Sequence, residues 1–98
     1  MIKRIVKMTF QADKIEIFKV LFDERKEKIR GFEGCEYLEL LQDKNHPNIL
    51  FTYSFWNSEN DLNIYRHSEL FKDTWRHTKA LFDGKPEAWS VDSVVQLP

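Results

Sequence analysis

The side chains with reactive potential in this 98-residue chain are few: His46, His67, His77, Cys35 and a heavy load of aromatic rings. His67 and His77 stand ten residues apart, and no carboxylate lies three or four positions beyond His77, so the spacing that holds zinc or iron is missing. An imidazole titrates near neutrality, so His67, at what reads as a helix junction, can exchange protons; the competing reading is a capping or surface residue. His46 falls in a Pro-containing turn and reads as exposed. Cys35 opens a strand with neither a paired cysteine nor an adjacent histidine, which makes it a buried, inert thiol. A lone cysteine also excludes an internal disulfide framework and a cysteine-based zinc site, and points to a reducing cytoplasm. The rings remain, with Phe 8, Trp 3 and Tyr 3 making 14% of the chain. A small domain buries only about 60 to 65% of its unfolded surface, so this content calls for a very aromatic core or a second covered face.

The bulk composition narrows the class. A chain of 98 residues reads as one domain, 1–98. Lys+Arg 15 against Asp+Glu 16 leaves a net charge of -1, without the basic excess that nucleic-acid modules turn toward phosphates. The longest uncharged apolar stretch, Ile49 to Trp56, falls far short of the roughly 20 residues that cross a bilayer. Lys3 and Arg4 pass at once into alternation, unlike a signal peptide. Neither nucleic acid nor membrane is an expected partner.

The elements that would hold these residues can be read from periodicity. Ile2 to Phe10 alternates, with Ile2, Val6, Met8 and Phe10 on one parity, and reads as a half-buried strand. Asp13 with Glu16 is a capping-box-like start to an amphipathic helix whose stripe runs through Ile15, Phe18, Phe22, Arg25 and Ile29, widened by Ile17, Val20 and Leu21. The mixed charges from Asp23 to Lys28 read as its solvated face, and Gly31 falls where a left-handed helix cap would. Cys35–Gln42 and Ile49–Trp56 read as hairpin strands across the turn-rich Asp43 to Asn48. Ser58 with Asp61 starts a short helix that passes near Ser68 into a second stretch, where Phe71, Trp75, Thr78 and Phe82 repeat until Gly84 and Pro86. Ala88 to Leu97 alternates as a last strand.

The order β-α-β-β-α-β is the ferredoxin-like α+β arrangement, an antiparallel sheet with both helices on one side. Its other side is then bare, yet the strand Ile49–Trp56 is apolar on both faces. A homodimer packing two sheets face to face, a dimeric α+β barrel, would cover it. Either Ile49, Phe51, Tyr53 and Phe55 or the opposite set would lie at that interface.

Three features in this order resemble the antibiotic biosynthesis monooxygenase family: the helix and strand order, the turn Arg30-Gly31-Phe32-Glu33-Gly34, and Phe55-Trp56 running into Asn57-Ser58-Glu59. The later run Arg66-His67-Ser68-Glu69-Leu70-Phe71 looks like that family's second-helix segment, so the resemblance covers nearly the whole chain. The family includes cofactor-independent oxygenases of aromatic polyketides and quinols, haem-degrading oxygenases and quorum-signal processing proteins. The resemblance therefore implies a homodimeric, cytoplasmic monooxygenase that oxidises a small aromatic or quinol-like molecule with O2 and no cofactor. In the polyketide-oxidising members the strand-end Trp lies in the cavity, with an Asn four residues before it and an Arg twenty after. The matching positions are Trp56, Thr52 in place of the Asn, and Arg76.

On that resemblance Trp56 would stack on the substrate, Arg76 would stabilise its phenolate, and Thr52 would offer a weaker hydrogen bond than Asn. Tyr65 takes a place where many members carry a cavity-facing His, Trp75 would join the wall, and His67 is the candidate base for the phenol proton. The haem-degrading pattern fits poorly: the first strand has no Asn, and the later Trp and haem-ligating His positions hold Tyr65 and Trp75. His77 lies two residues beyond, roughly 200° around a helix. The rival reading is a non-catalytic dimer on the same fold that binds or senses a small ligand.

Overall fold

The computed structural model, which describes residues 1–98, turns these segments into seven elements. They are β1 (Ile2–Thr9), α1 (Ile15–Arg30), β2 (Cys35–Gln42), β3 (Ile49–Trp56), α2 (Glu59–Arg66), α3 (Glu69–Lys79) and β4 (Glu87–Val91). The strands form one antiparallel sheet in the order β2-β3-β1-β4, the ferredoxin-like α+β fold. The two central strands pair along their whole length, from Ile2 opposite Trp56 to Thr9 opposite Ile49. No helix is long and apolar enough to cross a membrane.

Register decides which parity meets the helices. Met8 on β1 and Leu50, Ser54 and Trp56 on β3 are buried, and Phe18 of α1 packs on Met8, Phe10 and Leu50. A second buried group, Cys35, Trp56 and Leu62, lies toward the other end of the sheet. The opposite parity, Ile49, Phe51, Tyr53 and Phe55, is half-buried on the side without helices. There Tyr37 stacks on Phe55 with ring centroids 4.6 Å apart, and Lys3 lies 4.7 Å over the same ring. Sharing β1 with two lysines, Lys3 opposite Phe55 and Lys7 opposite Phe51, sends that parity away from the core.

Several local expectations are corrected. The N-cap of α1 is Lys14, without a side-chain cap, because Lys14 N–H bonds the Gln11 carbonyl in a turn that carries Asp13 outward. Ile17 and Val20 are exposed, so the apolar stripe of α1 is narrower than its composition suggests. Arg25 falls within the charged run but turns inward as its place on the stripe implies, its Nη1 donating to Asp73 Oδ2 at 2.8 Å and Thr74 Oγ1 at 2.9 Å. That fork ties α1 to α3. Gly31 has φ −82° and needs no left-handed backbone; the positive φ belongs to Gly34, at 92°.

Toward the C-terminus, α3 ends at Lys79, and bonds from Leu81 to Thr78 and from Phe82 to Lys79 tighten the chain into turns. Phe82 therefore packs on Phe10 from a bridge, not from a helical stripe. β4 stops at Val91. It pairs Val91 with Lys3, so residues beyond it run past Ile2, the first residue of β1, and Val94, Val95 and Leu97 stay exposed despite their alternation.

Two substitutions test this frame. A Cβ at Gly34 would fall 2.5 Å from Asp61 Cβ on a backbone that L-residues rarely adopt. Gly34→Ala is expected to lower the melting temperature by about 10 °C, on the scale of about 2 kcal/mol in a domain this small. Asp73 has its pKa held below the usual carboxylate value, chiefly by the hydrogen bond from Arg25. A depressed folded pKa stabilises above the unfolded value near 4 and stops doing so as pH falls through the folded one. Asp73→Asn should therefore melt below the parent at pH 7, with the gap closing in thermal scans as pH falls from about 5 through the folded-state pKa.

Candidate functional site

Between the two buried groups the helix side of the sheet is not filled. A cavity of about 270 Å³ lies there, lined by nineteen residues from the strands and from α1, α2 and α3. Its buried lining includes Met8, Phe18 and Ile29, whereas Arg66, Pro86 and Ala88 are exposed and mark the mouth.

One wall is aromatic, and local structure explains why. Trp56 ends β3 and is 1% exposed. Its indole N–H donates to Ser54 Oγ at 3.0 Å, and its ring stacks on Tyr65 with centroids 4.7 Å apart. Tyr65 also meets Phe32 and Phe71 edge-on, and Phe71 stacks on Trp75. The break between α2 and α3 fixes these rings. Ser58 caps α2, its Oγ accepting from Asp61 N–H. Ser68 ends one helix and starts the next, its hydroxyl donating to the Tyr65 carbonyl at 2.6 Å and accepting from Phe71 N–H at 3.1 Å.

Of the residues singled out by sequence, Thr52, Trp56, Tyr65 and Trp75 line the cavity together. Arg76 and His67 do not. Arg76 is 72% exposed and pairs with Asp73 Oδ1 at 2.6 Å, because it follows Trp75 on α3 and so points about 100° away from the wall. His67 caps α2 on the outside, Nδ1 lying 2.7 Å from the Asn63 carbonyl. His77 likewise meets the Asp73 carbonyl at 2.8 Å on the exposed face of α3. No group of three or more His, Cys, Asp or Glu side chains converges as metal ligands.

Two arginines that the sequence reading passed over take the place expected for Arg76. Arg4 on β1 and Arg66 at the end of α2 both line the cavity. Arg4 occupies the otherwise apolar parity of Ile2, Val6 and Met8, and that misplaced charge was the available signal. Burial, with the nearby Arg66 charge second, holds its pKa below the ordinary arginine value. It remains a guanidinium.

Burial pushes the Tyr65 phenol above the usual tyrosine range, with the Cys35 thiol adding to the effect. The group is a neutral hydrogen-bonding partner at physiological pH, not a base. Cys35 is 4% exposed, its Sγ lies 3.6 Å from the Tyr37 carbonyl, and burial raises its pKa as well. The lining thus offers rings, hydroxyls and two positive charges. It can enclose a flat aromatic molecule, hydrogen-bond its oxygens and favour negative charge on it.

Comparison with known proteins agrees with this architecture. The chain superposes on an antibiotic biosynthesis monooxygenase with a TM-score of 0.90 at 23% identity, covering 97% of this chain and 100% of the other. A conserved protein of Methanosarcina mazei Go1 gives 0.87 at 23%, covering 92% and 89%, and a protein of Pseudomonas aeruginosa 0.84 at 17%, covering 96% and 94%. No curated protein sequence matches. The shared class is a ferredoxin-like α+β domain. Residues 1–76 match the sequence pattern of the antibiotic biosynthesis monooxygenases, and the chain belongs to that family.

Proposed function

We propose that the protein is a homodimeric, cofactor-independent monooxygenase that oxidises a small aromatic, quinol-like molecule with O2. The observation that carries this reading is the ring-walled cavity, in which the half-buried Tyr65, Phe71 and Trp75 offer apolar ring surface and the buried Trp56 backs Tyr65 from behind. An electron-rich substrate can itself reduce O2. Loss of a proton gives a carbanion conjugated to a phenolate, attack on O2 gives a peroxide, and loss of water leaves a carbonyl. A CH2 group and O2 thereby become C=O and H2O. The protein's part is to hold the ring in an apolar pocket and to hydrogen-bond the developing oxyanion, for which Thr52 and Tyr65 are among the donors on the cavity wall.

One observation favours the rival reading, a homodimer that binds a small ligand without turning it over. The lining contains no His, Asp or Glu, so no side chain there is a base at neutral pH. In the oxygenase reading the proton must leave to water, helped by the acidity of the bound phenol near two guanidinium groups. The dimer itself is supported by the helix-free sheet face, where Phe51, Tyr53, Phe55, Tyr37, Leu41 and Trp89 present apolar surface to solvent.

Oxygen uptake by protein stripped of flavin and metal, supplied with anthrones and quinols, tests the activity. Uptake of one O2 per substrate is expected, and Tyr65→Phe should lower kcat about tenfold or more without changing the melting temperature. Compounds that quench tryptophan fluorescence yet consume no O2 would overturn the oxygenase and leave the binding protein. Sedimentation should give twice the 11.8 kDa chain mass, and a monomer at every concentration would refute the dimer.

A further inference from the structure

We infer that the ligand of the cavity is an aromatic acid: its carboxylate or phosphate is gripped by Arg4 and Arg66, and its ring lies against Tyr65, Phe71 and Trp75. The inference rests on the reading of the cavity as a ring-binding site and adds the charge its occupant must carry.

The charge inventory is one-sided. Among the nineteen lining residues Arg4 and Arg66 are the only charged ones. Ion pairs elsewhere engage Arg25 and Arg76 with Asp73, but neither cavity arginine has a carboxylate partner. The one side-chain hydrogen bond of Arg4 goes to a neutral hydroxyl, Ser90 Oγ, at 3.0 Å. Arg4 is partly buried beside the like charge of Arg66, an arrangement that costs free energy until an anion joins them.

Position supports the same assignment. Arg4 lies between Ser54 and Ser90 in the register of the sheet, and these two small side chains leave room above the strands for a guanidinium and a group bound to it. Arg66 ends α2 at the exposed mouth, where a charged substituent can keep part of its hydration while the ring enters the apolar interior. A guanidinium fork matches a carboxylate or phosphate with two parallel hydrogen bonds, which a neutral hydroxyl or amide cannot reciprocate.

Calorimetric titration of the full chain with 2-naphthoate, 2-naphthyl phosphate, 2-naphthamide and inorganic phosphate tests the inference. The two naphthyl anions should bind about tenfold or more tighter than the amide, with the advantage shrinking as KCl rises from 0.05 to 0.5 M. Whichever anion binds more tightly identifies the acid group. Inorganic phosphate alone should bind weakly, because it offers no ring. Arg66→Gln, at an exposed helix end where folding is not at stake, and Arg4→Gln should each remove most of the advantage, while Lys44→Gln should not. Equal affinity for naphthoate and naphthamide, no binding by either, or an advantage that survives in the double Gln variant would overturn the inference. Oxygen uptake is read separately with the anthrones and quinols: if none of them consumes O2 while the naphthyl anions bind as expected, the oxygenase is refuted and the clamp kept, and neutral quinols that turn over while the naphthyl anions are ignored do the reverse.

Discussion

The stack of Trp56 on Tyr65 is the contact from which the rest of the site follows. It joins the last residue of β3 to the last turn of α2, with ring centroids 4.7 Å apart, and Ser54 fixes the indole by taking its N–H. Burying a Trp this completely requires a partner for that N–H, and a serine two residues earlier on the same strand face supplies it. With α2 pinned there, the chain must break at Ser68 before α3 can run back across the sheet to meet α1 through Arg25 and Asp73. The helices are held at both ends of the sheet. Between those two anchors nothing draws them down, and the cavity is the gap that remains.

A gap of that kind is expensive if dry. At about 24 cal/mol per Å³, a sealed apolar hole of about 270 Å³ would cost about 6 kcal/mol, as much as the whole stability of many small domains. The molecule avoids that cost by opening the gap at Arg66, Pro86 and Ala88 and by lining it with hydroxyls and guanidinium groups that water can solvate. A ligand present at a hundred times its Kd adds about 2.7 kcal/mol to such a fold. The architecture is therefore one whose stability and occupancy are coupled, with only 10 of 98 residues buried in the chain alone.

How much of this was legible in the sequence depended on how local the signal was. The first three strands, the helix start at Ser58 and the passage near Ser68 from one helix to the next are short-range patterns, and the structure carries each of them. Both faces of β3 are apolar, so its orientation could not come from β3 itself; it came from the lysines of the neighbouring strand. The end of β4 was hidden for the same reason, since alternation through Leu97 says nothing about where β1 begins. Among the site residues, Thr52, Trp56, Tyr65 and Trp75 share a cavity because strand parity and helix phase bring them together. Arg76 lies outside the cavity on phase alone, one residue past Trp75. Arg4 was readable as a charge on an apolar parity but carries no local motif, and Arg66 depends on where a helix ends.

The outer and inner uses of the aromatic residues meet on one strand. Phe55 faces away from the helices and stacks with Tyr37, and its neighbour Trp56 faces inward and stacks with Tyr65. Successive residues of a strand cannot move independently, because a shift of the backbone that adjusts one face displaces the other. Covering Phe51, Tyr53 and Phe55 with a second sheet would hold β3 rigid from outside and so fix Thr52, Ser54 and Trp56 within the cavity. The abundance of rings in so short a chain is then a single requirement. The strand that carries the pocket wall needs apolar packing on both faces, and only one of those faces can be supplied by the chain's own helices.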